Sequence, residues 1–428
     1  MRRHPARLVD WVIVTPPRSA YLDHAATTPM SSAAIEAYTE QLAVTGNPSS
    51  LHAAGRGARR VVEESREQLA AAIGARPSEV IFTGGGTEAD NLAIKGLFWA
   101  RRVAHPERRR ILISAVEHHA VLDPAFWMAE HAGAEIVLLA VDAAGVVDVA
   151  ALRAELAAHA DETALISIMW ANNEVGTIQP VGEVVAAARS HGIPVHSDAV
   201  QAVGHVPVDF AASGLDALTV SAHKLGGPVG VGALVAKRTL DLTPVLHGGG
   251  QERGVRSGTL DAAGIRSFAV AVSEAVAAVP ETSERLTRLR DRLVAGVRAA
   301  VPTATLRGPE PSGDGDEHRL PGNAHFTFAG CEGDSLLYLL DSAGVQSSTG
   351  SACQAGVPQP SHVLLAMGVG EDDARGALRF SLGETSTDAD VDLLLEVLPD
   401  VVARASAAGL ASAGLGTSRN RSSQEVHP

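Results

Sequence analysis

The chain has 428 residues, 46% of them hydrophobic and 20% charged, the make-up of a globular protein long enough for two domains. Its net charge of −14, without a long basic run, excludes a nucleic-acid surface as the main function, because phosphate binding needs clustered Lys and Arg. Two cysteines, Cys331 and Cys353, exclude a disulfide framework and point to a reducing, cytoplasmic setting; no apolar run reads as a membrane span.

Residues 1–19 start basic, but their apolar run at 11–14 is too short for a signal segment, and they are expected to form a loosely ordered extension. Stretches 31–44 and 54–73 are predicted helices. In the second, Ala58, Val62, Ser65, Leu69 and Ile73 share one face, with Glu63, Glu64, Arg66 and Glu67 largely outside it. A strand at 79–83 runs into Gly84-Gly85-Gly86-Thr87 and a helix to about 100. That order presents free N–H groups and a helix dipole to an anion. The competing reading is a tight turn capped by Thr87.

Strand and helix then alternate: strands at 110–115, 135–141, 164–170 and 194–197, helices at 119–132, 149–158 and 181–190. This rhythm predicts an α/β fold with a largely parallel sheet, whose ligands collect beyond the carboxyl ends of the strands. Thr87, His118, Asn173, Asp198 and Lys224 each follow a predicted strand, which predicts one shared site. The last of these strands, at 216–221, delivers Ser221, His223 and Lys224 to a glycine-rich turn, where burial would lower the lysine pKa as a Schiff-base lysine requires. Beyond a second glycine turn at 248–259, a long helical region spans 261–301. Residues 307–322 read as an exposed connection, and strands at 323–328, 345–347 and 377–382 alternate with helices into a smaller α+β domain. The expected organisation is a large domain at 20–279, a small domain at 280–404 and a disordered tail at 405–428.

A buried lysine, an aspartate and a phosphate cradle together suggest pyridoxal phosphate, whose ring nitrogen needs an acidic partner to remain an electron sink. Asp198 is the candidate for that nitrogen and Gln201 for the phenolic oxygen. Asp198 also reads as a helix cap.

The motifs YLDHAATTP (21–29), GNPSSLH (46–52), FTGGGTEADNLAIKG (82–96), VEHHAVL (116–122), ANNEVGTIQP (171–180), HSDAVQAVGH (196–205), GGGQERGVRSGTL (248–260) and SSTGSACQAGVPQPSHVL (347–364) resemble those of the cysteine desulfurases, fold-type-I enzymes of the class V aminotransferase group. The resemblance runs in order over about 20–400. It implies that Lys224 carries the cofactor and shuttles the substrate Cα proton, that His118 stacks on its ring, and that Gly86, Thr87, Ser221 and His223 hold its phosphate. It implies that Thr259 completes the phosphate site of a neighbouring subunit in a homodimer, and that Asn173 and Arg379 receive the carboxylate of L-cysteine. Cys353, on the loop 347–360, matches the nucleophile that takes sulfur as a persulfide for an acceptor, either an iron–sulfur scaffold or a tRNA-thiolating enzyme. That loop resembles the longer form found in one subgroup of the family, and Cys331 reads as an inert core thiol. A selenocysteine lyase or an aminotransferase of the same fold is the alternative, although the latter needs no thiol. A silent scaffold would not retain Lys224, Asp198, His118, Arg379 and Cys353 together. No histidine pair has metal-ligand spacing with cysteines or carboxylates, so no metal is expected.

Overall fold

The computed structural model describes residues 18–312, 317–350 and 359–421, with side chains to 407. The chain enters through β1 (Ala20–Tyr21) and continues into α1 (Ser32–Leu42) and α2 (Ala53–Ala72). The apolar face expected on α2 is buried at all five positions, Ala58 to Ile73. Arg66 departs from the expectation. It is buried as well, because Glu252 meets it at 2.7 Å.

The large sheet is built from β2 (Val80–Thr83), β3 (Arg110–Ser114), β4 (Glu135–Leu139), β5 (Thr163–Ser167), β6 (Val195–Asp198), β7 (Ala217–Ser221) and β8 (Gly232–Ala236). Its order is β2-β8-β7-β6-β5-β3-β4, and β8 alone runs against its neighbours. The connections are α3 (Gly86–Ala104), α4 (His119–Ala132), α5 (Val149–His159), α6 (Val181–Arg189) and the short α7 (Phe210–Ser213). β5, β6 and β7 are buried at every residue, as expected of parallel strands covered on both faces. Sequence reasoning missed β8, because glycines at 226–232 read as loop. Gly232 is required there: a Cβ would stand 2.7 Å from the Gly85 carbonyl carbon, so the phosphate-type turn lies directly on β8.

Helix α8 (Ala262–Ala300), capped by Asp261, joins two cores. Ile265, Phe268 and Val272 pack into the large-sheet core, whereas Leu286, Leu289, Leu293 and Val297 pack into the second. By length and composition α8 is apolar enough to cross a membrane, contrary to the expectation from sequence. Half of its apolar window is buried, and it packs on α1 and α2 as a core helix.

The second core lies on a three-stranded antiparallel sheet ordered β12-β10-β9, from β9 (Ala304–Arg307), β10 (Asn323–Phe328) and β12 (Ala377–Ser381). Around it lie α9 (Gly333–Ser342), β11 (Val345–Gln346), α10 (His362–Ala366), α11 (Glu371–Arg375) and α12 (Asp388–Arg421). Two boundaries differ from expectation. β1 pairs with β11, and Ala20 and Leu22 join the second core, so residues 20–23 pack with the small unit. α12 continues past 405, the Ala-rich composition favouring helix where low hydrophobicity suggested a disordered tail.

Candidate active site

The ends of five strands of the large sheet, with Ala25 and Ala26 after β1, the segment ends at Ser348 and His362, and Arg379 on β12, form a cavity of about 360 Å³. Ten of the predicted site residues line it: Gly86, Thr87, His118, Asn173, Asp198, Gln201, Ser221, His223, Lys224 and Arg379. Thr259 does not reach this cavity and is exposed. Cys353 lies outside the described residues, but Ser348 and Gly350 on one side of that segment and His362 on the other line the cavity.

Lys224 ends a single 3₁₀ turn that follows β7. Its Nζ donates to the carbonyls of Ala25 (2.6 Å) and Ala26 (2.7 Å). Burial, with the positive charge of Arg379, lowers its pKa to about 8, so the lysine is still mainly protonated at neutrality but loses its proton far more readily than an ordinary lysine. Asp198 ends β6. One oxygen accepts from the Val200 N–H at 2.9 Å, a local turn rather than a helix cap, and burial raises its pKa to about 6. Gln201 donates to the Ala25 carbonyl at 2.9 Å.

His118 caps α4, its Nδ1 accepting from the Ala120 N–H at 3.1 Å. The ring opens onto the cavity but lies deep in the protein, and burial lowers its pKa to about 4, which makes it a neutral imidazole. The α3 N-terminus begins at Gly85, which has no capping side chain, and Thr87 sits inside the first turn rather than at the cap. Glu88 accepts from the Gly84 N–H (2.7 Å) and pairs with Arg256, which fixes the turn and leaves Gly86 and Thr87 facing the cavity.

Arg379, on β12, is 4% exposed. It donates to Asp23 Oδ1 at 2.6 Å and to the Asn173 carbonyl at 2.9 Å. Its backbone pairs with Ser348, so the small sheet sets both the guanidinium and the start of the segment carrying Cys353. At the other end Ser361 donates to Glu174 Oε2 at 2.5 Å, and His362 Nε2 lies 2.9 Å from the Glu117 carbonyl oxygen. Cys331 is buried in the second core, as expected of an inert thiol.

Sequence reasoning gave no role to Asp23, Asp90, Glu117 or Glu174. All four lie inside quoted motifs, and Asp90 follows Gly86 by one helical turn, a spacing readable from the sequence.

The model of the aminotransferase class-V family matches residues 20–394. The IscS-like cysteine desulfurase of Mycobacterium tuberculosis (strain ATCC 25618 / H37Rv) is 59% identical over 395 residues, 92% of this chain and 99% of that protein. The cysteine desulfurase IscS of Dictyoglomus turgidum is 44% identical over 386 residues, 90% of this chain and 95% of its own length. Among solved structures, a NifS-like protein superimposes with a TM-score of 0.81 at 33% identity, covering 90% of this chain and all of its own. The NifS-like protein of Rickettsia africae gives 0.78 at 30% identity, covering 90% and 99%. The chain belongs to the cysteine desulfurase family within the class-V aminotransferases, and these are pyridoxal-phosphate enzymes.

The residues present fit that cofactor. An uncapped helix N-terminus offers N–H groups to a phosphate, a lysine of lowered pKa faces it across the cavity, and an aspartate at the end of the neighbouring strand faces that lysine. The volume is that of a small-ligand site.

Proposed function

We propose that the chain converts L-cysteine to L-alanine and holds the released sulfur as a persulfide on Cys353. The observation that carries this reading is the convergence of Lys224, Asp198, His118, Arg379 and both ends of the Cys353 segment on one cavity. Bound pyridoxal phosphate supplies the electron sink for bond cleavage at the substrate. Lys224 would be its covalent anchor, Gly86, Thr87, Ser221 and His223 would bind the phosphate, and Asp198 would face the ring nitrogen and Gln201 the phenolic oxygen. His118, a neutral ring open to the cavity, would stack on the cofactor. Asn173 and Arg379 take the substrate carboxylate; Arg379 exchanges its Asp23 contact for that planar anion, a pairing suited to a guanidinium.

With substrate in the cavity, Lys224 Nζ would take the substrate Cα proton. The Cys353 thiolate would then bond to the substrate sulfur as the carbon–sulfur bond breaks and leaves its electron pair on Cβ; a proton delivered to Cβ and the proton returned from Lys224 to Cα complete alanine. The persulfide passes to an acceptor protein, an iron–sulfur scaffold or a tRNA-thiolating enzyme, in the cytoplasm. The unit is a homodimer in which Thr259 reaches the neighbour's phosphate. Supporting this, Thr259 is exposed and outside its own cavity, and Leu51, Val229 and Leu246 are exposed on surface loops.

The test is Cys353→Ser. A serine hydroxyl stays protonated near neutrality without a dedicated base, so this variant binds cofactor and cysteine but releases no alanine. Full alanine production would overturn the reading. Loss of cysteine turnover with selenocysteine turnover spared would favour a selenocysteine lyase.

A further inference from the structure

Asp90 lies on α3 one turn beyond the phosphate cradle, lines the same cavity as Asp198, and is 1% exposed. Neither of its oxygens has a hydrogen bond of ordinary geometry; the Thr219 hydroxyl is the donor that faces it. His196 Nε2 stands 3.6 Å away, but that ring is neutral, since burial lowers its pKa to about 3. The ring is instead held by Ser167 (2.9 Å) and Thr219 (3.0 Å). The other groups facing Asp90 are Asp198 from β6 and Glu117 from the β3–α4 connection, both carboxyls. An ionised Asp90 would therefore be buried without a cation or an adequate set of donors, beside other acids and one turn from the phosphate cradle, an unfavourable placement for a charge.

We propose that Asp90 is a positioning residue that stays a neutral carboxylic acid, so that the Asp90–Asp198 pair holds one proton and its single negative charge lies on Asp198, facing the cofactor ring. Burial and the Asp198 charge both raise the Asp90 pKa well above the ordinary carboxyl value, in the same direction as the geometry. Asp90 acts through its neighbours: kept neutral it leaves the single negative charge on Asp198, and it faces the Thr219 hydroxyl as an acceptor. The inference rests on the Asp198 assignment made above.

The experiment compares the full-length wild type with Asp90→Asn, which keeps a neutral polar side chain of the same size, and Asp90→Leu, which removes it. In the cofactor-free protein at about pH 7.5, the wild-type-minus-Asn infrared difference should show a protonated carboxyl band. A carboxylate band in its place overturns the proposal. In the cofactor-loaded protein, Asp90→Asn should leave the pH midpoint of the visible absorbance unchanged. Asp90→Leu should shift it by about half a unit or more. Equal shifts in both variants, or none in either, overturn the positioning role. If Asp90→Asn does not fold, Asp90→Ser serves for the infrared difference. Asp198→Asn separates the two claims: normal cofactor binding and an unshifted midpoint there refute the Asp198 assignment, whatever the infrared band shows for Asp90.

Discussion

Two buried regions of the large domain handle charge in opposite ways. Beside β2, Arg66 donates to both oxygens of Glu252 (2.7 and 2.8 Å) and to the Val80 carbonyl, while Glu252 also accepts from the Phe82 N–H. That pair is matched within the protein and has the character of architecture. Behind the cavity, Asp90, Glu117 and Asp198 are almost wholly buried, yet both Asp90 oxygens and one Glu117 oxygen lack partners. The cation facing Asp198 is Lys224, whose own bonds go to backbone carbonyls. Unmatched buried charge is costly, so burial holds Asp90 and Glu117 toward their neutral acids, and the charge that remains, on Asp198, lies where a ligand can complete it.

The largest expected effect is at the unmatched region. Lys224→Ala should lower alanine release by at least about a thousandfold, since it removes both the anchor and the proton carrier. It should still retain some cofactor through the phosphate cradle, as equilibrium dialysis would show. Turnover close to wild type would erase the distinction between the regions.

The next effect is on stability. Arg66→Met leaves Glu252 buried without its cation and should destabilise the cofactor-free protein by about 3–5 kcal/mol in urea unfolding. A loss below about 1 kcal/mol would mean that the pair is not structural in the sense argued.

A smaller, pH-dependent effect follows from Lys224. Its folded pKa, about 8, lies below the ordinary 10.5, so between these values the unfolded chain binds more protons than the native one. Stability of the cofactor-free protein should therefore rise with pH across that window, and Lys224→Ala should lose that component of the slope. Acylation of Lys224 in the same protein should be half-maximal near pH 8. An unaltered slope, or a midpoint near that of ordinary lysines, would remove the evidence for an activated amine.

The smallest effect belongs to Cys331→Ser. A hydroxyl in the second core should cost about 1–3 kcal/mol and leave alanine production intact. Loss of production there with Cys353 unchanged would mean that the wrong thiol had been assigned.

Much of this was readable in the sequence because period and punctuation survive folding. The α2 face, the parallel strands and the strand-end residues from Thr87 to Lys224 follow from spacing alone. β8 was not legible, because its approach to Gly85 demands glycine, and glycine reads as loop. Arg66 was misplaced because its burial depends on Glu252, a residue 186 positions away. Asp23 was missed for the same reason: its partner, Arg379, lies 356 residues along the chain. The boundary at residue 20 was misjudged because β1 pairs with β11, a contact that local composition does not encode.

The central claim is that the strand-end cavity is a pyridoxal-phosphate site anchored on Lys224. Borohydride reduction of the cofactor-loaded protein, followed by peptide mapping, tests it most directly. The account predicts covalent cofactor on the peptide containing Lys224; recovery of the label on Lys95 or Lys237 instead would contradict it.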